Sequence, residues 1–327
     1  MATLETSFLQ GQLEERKRRL EQAIALTPQS PGQSGGLAAL LREVDSALER
    51  MDKGTYGLCE ECHEAVEKDR LMADPLVRYC LDHLTQLQRA ALQRDLDLAA
   101  AVQRNLLPQV NLRVSDWETC YHYAPHGPVS GDYCDLIPFD GQLFFVLGDV
   151  SGKGVAASML MTQLHALFRS LTGLRLPLCQ IIARANRVLC ESALAGQYAT
   201  LVCGQANATG EVEIHNAGHL PVIVSGRGST PQIESMGVPL GMFLEGEFPV
   251  SRLKLEAGDT LFIFSDGLSE ADSAGEEYGV DRVARVVQQQ SGRQAAEIVA
   301  ACLDDVRTFT GGGPQADDLT MLAIQRC

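Results

Sequence analysis

The 327-residue sequence has no excess of positive charge, no long apolar run, no leader pattern and no cysteine framework. Its 27 Lys and Arg face 42 Asp and Glu, a net charge of −15, whereas a nucleic-acid surface needs a basic footprint. Nucleic acid is therefore set aside as a partner. No uninterrupted apolar stretch approaches the roughly 20 residues that cross a bilayer. Residues 1–5 lack the basic-then-apolar pattern of a signal peptide. The expected location is the cytoplasm, with no membrane partner. Three of the ten cysteines belong to a metal pattern. The other seven, Cys120, Cys134, Cys179, Cys190, Cys203, Cys302 and Cys327, have no framework spacing and are expected to be buried small hydrophobes.

What is present falls into four parts, expected as residues 1–53, 54–85, 86–108 and 109–327. Residues 4–26 carry a helical period (Leu4, Phe8, Leu13, Leu20, Ile24) beside a charged face. Residues 27–36, with two Pro and three Gly, form a breaker-rich loop. A second helical period follows over 37–53, with Leu40, Leu41, Val44, Leu48 and Met51 on one side. Two such helices joined by a short loop make an antiparallel hairpin.

Cys59, Cys62, Cys80 and His83 come next, as two short-spaced pairs separated by a loop, a spacing that closes a tetrahedral zinc site. His63 lies beside Cys62 but suits the pairing less well. With Gly54 to Cys62 and Arg70 to Cys80 around it, this region resembles the TraR/DksA-type zinc finger, and the preceding hairpin fits that family's architecture. The family usually has a fourth Cys where His83 stands, a substitution zinc accepts. Its acidic coiled-coil tip is missing: residues 27–36 hold no Asp or Glu. That departure argues against RNA polymerase as a partner and for a structural finger or a protein dock.

Over 84–107 a helical period resumes. Leu92, Leu96, Ala99, Gln103 and Leu106 form a heptad seam containing one polar residue, and Pro108 ends it. The segment from Ala99 to Pro108 resembles the linker helix that precedes the catalytic domain in bacterial sensor phosphatases. The seam is expected to pair in a homodimer.

The last two thirds of the chain repeat one design, an Asp where an apolar strand hands over to a loop. Leu143 to Leu147 precede Asp149, and Leu261 to Phe264 precede Asp266. Asp132 and the pair Asp317-Asp318 sit in similar settings. Converging carboxylates repel unless a cation lies among them. Hard oxygen donors without His or Cys select Mg²⁺ or Mn²⁺.

Taken in order, Ser130-Gly131-Asp132, Gly148-Asp149-Val150-Ser151-Gly152-Lys153-Gly154, Asn216-Ala217-Gly218-His219, Ser265-Asp266-Gly267 and Asp317-Asp318-Leu319-Thr320 resemble the metal-dependent (PPM-type) protein phosphatases of the SpoIIE/RsbU-like branch. The resemblance implies an α+β fold, an αββα sandwich of two antiparallel sheets flanked by helices. Strand-like runs at 142–149, 198–205, 211–217, 260–265 and 319–325, and helical stretches at 154–172, 178–194, 280–290 and 294–309, agree with it. In 154–172 the expected apolar face is Ala156, Met159, Leu160, Leu164, Leu167, Phe168 and Leu171. The resemblance further implies two Mn²⁺ or Mg²⁺ ions. Asp149 would bridge them, the Val150 carbonyl would be a backbone ligand, and Asp132, Asp266 and Asp317 would complete the set, with Asp318 beside them. A metal-bridging water would then attack phosphorus in line. Asp135 is either a further ligand or a surface charge. His219 either acts near the substrate or stabilises a turn. The histidine acid of eukaryotic relatives falls at Ser151, and Lys153 replaces a common bacterial His, which leaves the general acid open.

The function expected is hydrolysis of phosphoserine or phosphothreonine on a signalling protein such as an anti-sigma-factor antagonist. The N-terminal region would be regulatory and would dock a protein partner, with one structural zinc. The competing readings are a catalytically inactive regulatory module and a zinc-finger transcription regulator with an appended phosphatase-like domain.

Overall fold

A computed structural model of the chain describes residues 2–26, 33–84, 86–192, 196–226 and 232–327, although the side chains of 2–7, 26, 33–35, 86 and 87 are left aside. It divides into two compact units, Met1–Asp95 and Leu96–Cys327.

In the first unit, helices α1 (Ala2–Leu26) and α2 (Gln33–Asp52) pack through Leu13 and Leu20 against Val44 and Ala47. Leu13 and Leu20 are buried as expected, but at the start of the face Leu9 is buried and Phe8 is exposed. Helix α2 also starts earlier than the breaker-rich composition implied, so Gly35 and Gly36 lie in its first turns; residues 27–32 fall outside the described set. The chain then turns at Gly54 and Gly57, both with positive φ, into a small finger containing helix α3 (Lys68–Ala73) and a 3-10 turn, Leu81–His83. Val66, Leu71, Val77 and Tyr79 pack around its cysteines. This core is too small to hold the finger by itself.

Helix α4 (Gln86–Leu106) enters the second unit, where two antiparallel sheets stack. One holds β1 (Asn111–Val114), β2 (Trp117–Ala124), β13 (Leu319–Arg326), β10 (Thr260–Phe264), β7 (Val222–Ser225) and β8 (Gln232–Ile233), in that spatial order. The other runs β3 (Tyr133–Phe139), β4 (Gln142–Val150), β5 (Ala199–Ala206), β6 (Glu211–Ala217) and β9 (Ser251–Lys254). A short separate hairpin pairs β11 (Asp272–Ser273) with β12 (Glu276–Glu277).

Alternation along each strand explains the layers. Leu143, Phe145 and Leu147 of β4 meet Leu261, Ile263, Leu322 and Ile324 between the sheets. Phe144 and Val146 point the other way, onto helices α5 (Gly154–Thr172) and α6 (Leu178–Ser192). On the opposite side, Phe262, Phe264, Met321 and Ala323 meet α8 (Val280–Gln289) and α9 (Ala295–Phe309). A four-residue helix α7 (Asp266–Ser269) follows β10. Strands apolar on both faces read as unbroken hydrophobic runs, which is why the central ones are visible in the sequence. The layering is the αββα sandwich expected.

Two expectations need correction. The buried face of α5 is Ala157, Leu160, Met161, Leu164 and Phe168; Met159 is 68% exposed and Ala156 is exposed as well. Steps of 3, 1, 3 and 4 keep one stripe toward the sheet, and Met159 lies off it. Among the scattered cysteines, Cys120, Cys134, Cys203 and Cys302 are buried as expected, but Cys179 and Cys327 are exposed.

Gln103 differs most from its expected place. Rather than facing a paired helix, it is buried within its own chain. Its Nε2 donates to the Ser130 carbonyl at 2.7 Å, and its Oε1 accepts the Ser130 N–H at 3.0 Å. Leu92, Leu98 and Val102 are large apolar residues that α4 leaves exposed, the last two most. Gln103→Leu strips both partners from a buried peptide group, each loss costing about 1–3 kcal/mol. We therefore expect a clear drop in the urea midpoint of the second unit, with unchanged slope, in equilibrium unfolding followed by tryptophan fluorescence. An unchanged midpoint would show that the bidentate contact contributes nothing.

Candidate active site

Strand pairing brings the sequence-selected aspartates together. Tyr133, the first residue of β3, is opposite Gly148, so Asp132 lies beside the end of β4 where Asp149 stands. Gly131 is the close approach: a Cβ there would lie 3.0 Å from the Val150 carbonyl oxygen and 3.2 Å from Asp149 Oδ1. In the facing sheet, Phe264 of β10 is opposite Met321 of β13, so the exit of one strand meets the entry of the other. Asp266 thus lies near Asp317 and Asp318. Gly267 is obligatory here, because a Cβ would sit 2.0 Å from the Asp318 carbonyl oxygen. Two open pairs of strand ends, one per sheet, carry these acids.

Asp132 is 1% exposed. Its Oδ2 accepts hydrogen bonds from Ser265 Oγ, at 2.9 Å, and from Thr320 Oγ1, while Oδ1 is buried with no hydrogen-bond partner. Burial, reinforced by Asp149, raises its pKa well above the carboxylate range. Burial and the charges of Asp266, Asp317 and Asp318 push Asp149 up to about 7. Asp266 is raised by burial and by Asp317. An orphaned carboxylate oxygen and mutually opposed carboxylates fit a hard divalent cation, and the absence of thiolate or imidazole donors disfavours zinc here. Their oxygens do not form a single tight cage. Among the described residues, the one group of three or more His, Cys, Asp or Glu ligand atoms all within 4.8 Å is in the finger.

Asp318 is occupied differently. Its Oδ1 accepts the His126 N–H at 2.7 Å and its Oδ2 accepts the Gly131 N–H at 3.0 Å, so both oxygens clasp the loop leading to Asp132. Asp317 Oδ1 accepts the Asp318 N–H at 2.9 Å, and its Oδ2 accepts Lys153 Nζ at 2.8 Å. Beside the acids opens a cleft of about 370 Å³ lined by Asp149, Ser151, Tyr198, Thr200, His219 and Asp266.

The structure resolves two readings left open by sequence. Asp135 is neither ligand nor surface charge. It is fully buried, and Arg169 of α5 holds it in a fork at 2.9 and 2.8 Å, which ties the helix to β3. His219 lines the cleft, yet both ring nitrogens are engaged. Nε2 donates to the Phe264 carbonyl at 3.0 Å, and Nδ1 lies 3.0 Å from Thr200 Oγ1, whose hydroxyl it accepts. Burial lowers its pKa to about 4, so it is neutral at physiological pH and stabilises this corner. Residues missed by sequence reasoning include Ser265, Thr320 and Gln103. The first two stood inside the quoted motifs, but hydroxyls beside metal-binding acids carry no spacing signal of their own. Gln103 was visible only as a polar interruption.

In the finger, Cys59, Cys62, Cys80 and His83 bring their ligand atoms within 4.8 Å of one another, with Cys62 and Cys80 sulfurs 3.8 Å apart. Although burial opposes it, backbone donors from Cys62 and Cys80 hold the Cys59 thiol below its ordinary pKa, which favours the thiolate a metal needs. His63 stands outside the cluster, in a turn with φ 59°. The cluster suits one tetrahedral zinc.

Comparison with known proteins follows the same division. The family described as Stage II sporulation protein E (SpoIIE) matches residues 140–327, and the prokaryotic dksA/traR C4-type zinc finger matches 54–82, ending one residue before His83. Protein IcfG of Synechocystis sp. is 27% identical over 263 residues, 71% of this chain and 41% of that protein. This chain thus spans about two fifths of that relative's length. Phosphoserine phosphatase RsbU of Bacillus subtilis is 22% identical over 238 residues, 72% of this chain and 71% of that one. Among solved structures, the SiaA-PP2C domain of Pseudomonas aeruginosa superposes with a TM-score of 0.65 at 18% identity, covering 73% of this chain and 98% of the domain. That likeness establishes a PP2C-type fold.

Two outcomes are expected from these geometries. The folded, metal-free protein retains a proton on Asp149 that the unfolded chain releases near pH 3.8. Stability contributed by this group therefore falls as pH rises from about 4 to 7 and is level above. Thermal melts without metal should drop by a few degrees between pH 5 and 8, and the rise on adding Mn²⁺ should be larger at pH 8; a pH-independent rise contradicts the convergence of carboxylates. For the finger, elemental analysis of protein purified without chelator should return one zinc per chain. Cys59→Ser should lose it together with protease resistance of residues 54–83, because structural zinc supplies folding free energy.

Proposed function

Because the chain belongs to the SpoIIE family, we propose that it is a metal-dependent protein phosphatase that hydrolyses phosphoserine or phosphothreonine on a signalling protein, such as an anti-sigma-factor antagonist. One observation carries the reading: Asp132, Asp149, Asp266 and Asp317, drawn from four separated segments, meet at one end of the sandwich without neutralising partners enough for their charge.

Asp149, Asp132, Asp266 and Asp317, with the Val150 carbonyl, would hold two Mn²⁺ or Mg²⁺ ions. Such ions, when bound, supply Lewis acidity and an activated water for in-line attack at phosphorus. The protein's own contribution is placement. Ser265 and Thr320 fix Asp132 Oδ2, which leaves the buried Oδ1 without a partner and available to a cation. Asp318 would act through the loop 126–131, since its two oxygens accept the His126 and Gly131 N–H groups. The cleft beside Asp149 and Asp266 has room for a phosphorylated side chain.

The division into a helical hairpin (1–53), a zinc finger (54–85), a linker helix (86–108) and a phosphatase domain (109–327) belongs to the same proposal. The finger region would dock a regulatory protein. A homodimer through α4 would use the exposed Leu98 and Val102, not Gln103, which is already committed to Ser130. The placement proposed is the cytoplasm; no helix among the described residues is long and apolar enough to cross a membrane.

The test is turnover of an aryl phosphate and of a phosphoserine peptide with and without Mn²⁺. Asp149→Asn and Asp266→Asn should each lower the rate at least about 100-fold, roughly 2.7 kcal/mol of transition-state stabilisation, with circular dichroism unchanged. Undiminished turnover by Mn²⁺-reconstituted Asp149→Asn sinks the assignment. Removing residues 1–85 should alter the rate while the Mn²⁺ requirement persists.

A further inference from the structure

Lys153 is placed as no ordinary surface lysine would be. It is the N-cap residue of α5 and its side chain does not cap the helix. It lies between Gly152 (φ 96°) and Gly154 (φ 74°), two left-handed positions that bend the backbone sharply back over the site. Nζ reaches Asp317 Oδ2 at 2.8 Å. The choice of oxygen matters. Asp317 Oδ1 accepts the Asp318 N–H, a fixed backbone donor, whereas Oδ2 accepts from Lys153, a side-chain cation that can move away and be replaced by another cation. The lysine side chain is 64% exposed and Asp317 34%, which puts the ion pair at the mouth of the acidic group and not on its floor, where Asp132 lies.

Resting on the phosphatase reading above, we propose that Lys153 is a tethered counter-ion that competes with a divalent cation for Asp317. In the metal-free protein its ammonium offsets part of the repulsion among Asp266, Asp317 and Asp318. An exposed lysine–carboxylate pair is weak and readily exchanged. A divalent ion therefore gains Asp317 Oδ2 by releasing Lys153, and the competition lowers affinity at that position only. Asp149 and Asp132 make no hydrogen bond with Lys153 and are untouched by the exchange. Once released, the ammonium stays at the mouth on its two-glycine hinge, where a phosphoryl dianion would enter. The same residue would then lower KM for phosphoprotein without taking part in bond breaking.

The experiment is calorimetric titration of the full-length, metal-stripped protein with MnCl₂ at pH 7.5, comparing wild type, Lys153→Gln and Lys153→Arg. Lys153 is exposed, so the glutamine variant is expected to fold; its melting curve checks this. Lys153→Gln should bind the weaker Mn²⁺ about threefold more tightly while the tighter one is unchanged, and Lys153→Arg should restore the wild-type isotherm. The metal-free glutamine variant should also melt lower than wild type and gain more on saturation with Mn²⁺. In turnover of a phosphoserine peptide at saturating Mn²⁺, Lys153→Gln should raise KM severalfold with kcat nearly unchanged. Identical isotherms for wild type and Lys153→Gln, or weaker binding by the variant, overturn the counter-ion role and leave the phosphatase assignment standing. If wild type itself binds no Mn²⁺, the metal-site reading fails and this proposal with it.

Discussion

Repulsion among crowded carboxylates, Asp132 buried and the others half-buried, is the constraint around which the second unit is organised. A lone ionised carboxylate in a low-dielectric setting costs several kcal/mol, and several together cost more. The fold accepts that cost at one end of the sandwich and limits it with specific donors. Ser265 and Thr320 serve Asp132, two backbone N–H groups serve Asp318, and Lys153 serves Asp317. What is left uncompensated, above all Asp132 Oδ1, defines where positive charge is wanted. The apolar interior supplies the rigidity. Phe144, Phe145, Phe262 and Phe264 are fully buried on both sides of their sheets, so the strands that end in acids cannot relax away from one another.

The two units solve stability by different means. The second has three large apolar layers. The first has a helical hairpin with a narrow core and a finger whose interior is little more than its own cysteines. In the finger the metal ligands are the core, so ligand geometry and folding cannot be separated. In the second unit the reverse holds, since the acids sit at strand ends, outside the apolar layers that build the fold. One chain thus uses soft donors to build structure and hard donors to create a site.

How much of this was legible in the sequence depended on distance along the chain. Strands β4, β5, β10 and β13 are apolar on both faces and announced themselves as runs; the acids at their ends were found with them. Strands β1, β2 and β3 were not, because Glu118, Thr119, His122 and Asp135 interrupt the pattern for reasons that lie elsewhere in the fold. Asp135 is paid for by Arg169, 34 residues away, and no local rule connects them. Gln103 looked like a polar residue in a coiled-coil seam because spacing reports a face and not its occupant; the occupant is the Ser130 peptide. Met159 and Met161 differ in burial because two helical steps of about 100° place them on opposite sides of α5. The finger ligands were fully legible, since their short spacing is itself the chemistry.

Strand β13 lies between β2 and β10, in the interior of its sheet, although it follows every other described strand in the chain. Until residues 319–326 are inserted, β2 and β10 each present an open edge and Asp132 lacks the Thr320 hydroxyl. A growing chain can therefore fold its finger early, from local contacts and a metal, but the acidic site must wait for a strand made nearly two hundred residues after Asp132. Contacts of such separation form slowly. Synthesis therefore completes the contacts of the finger first and those of the acidic site last.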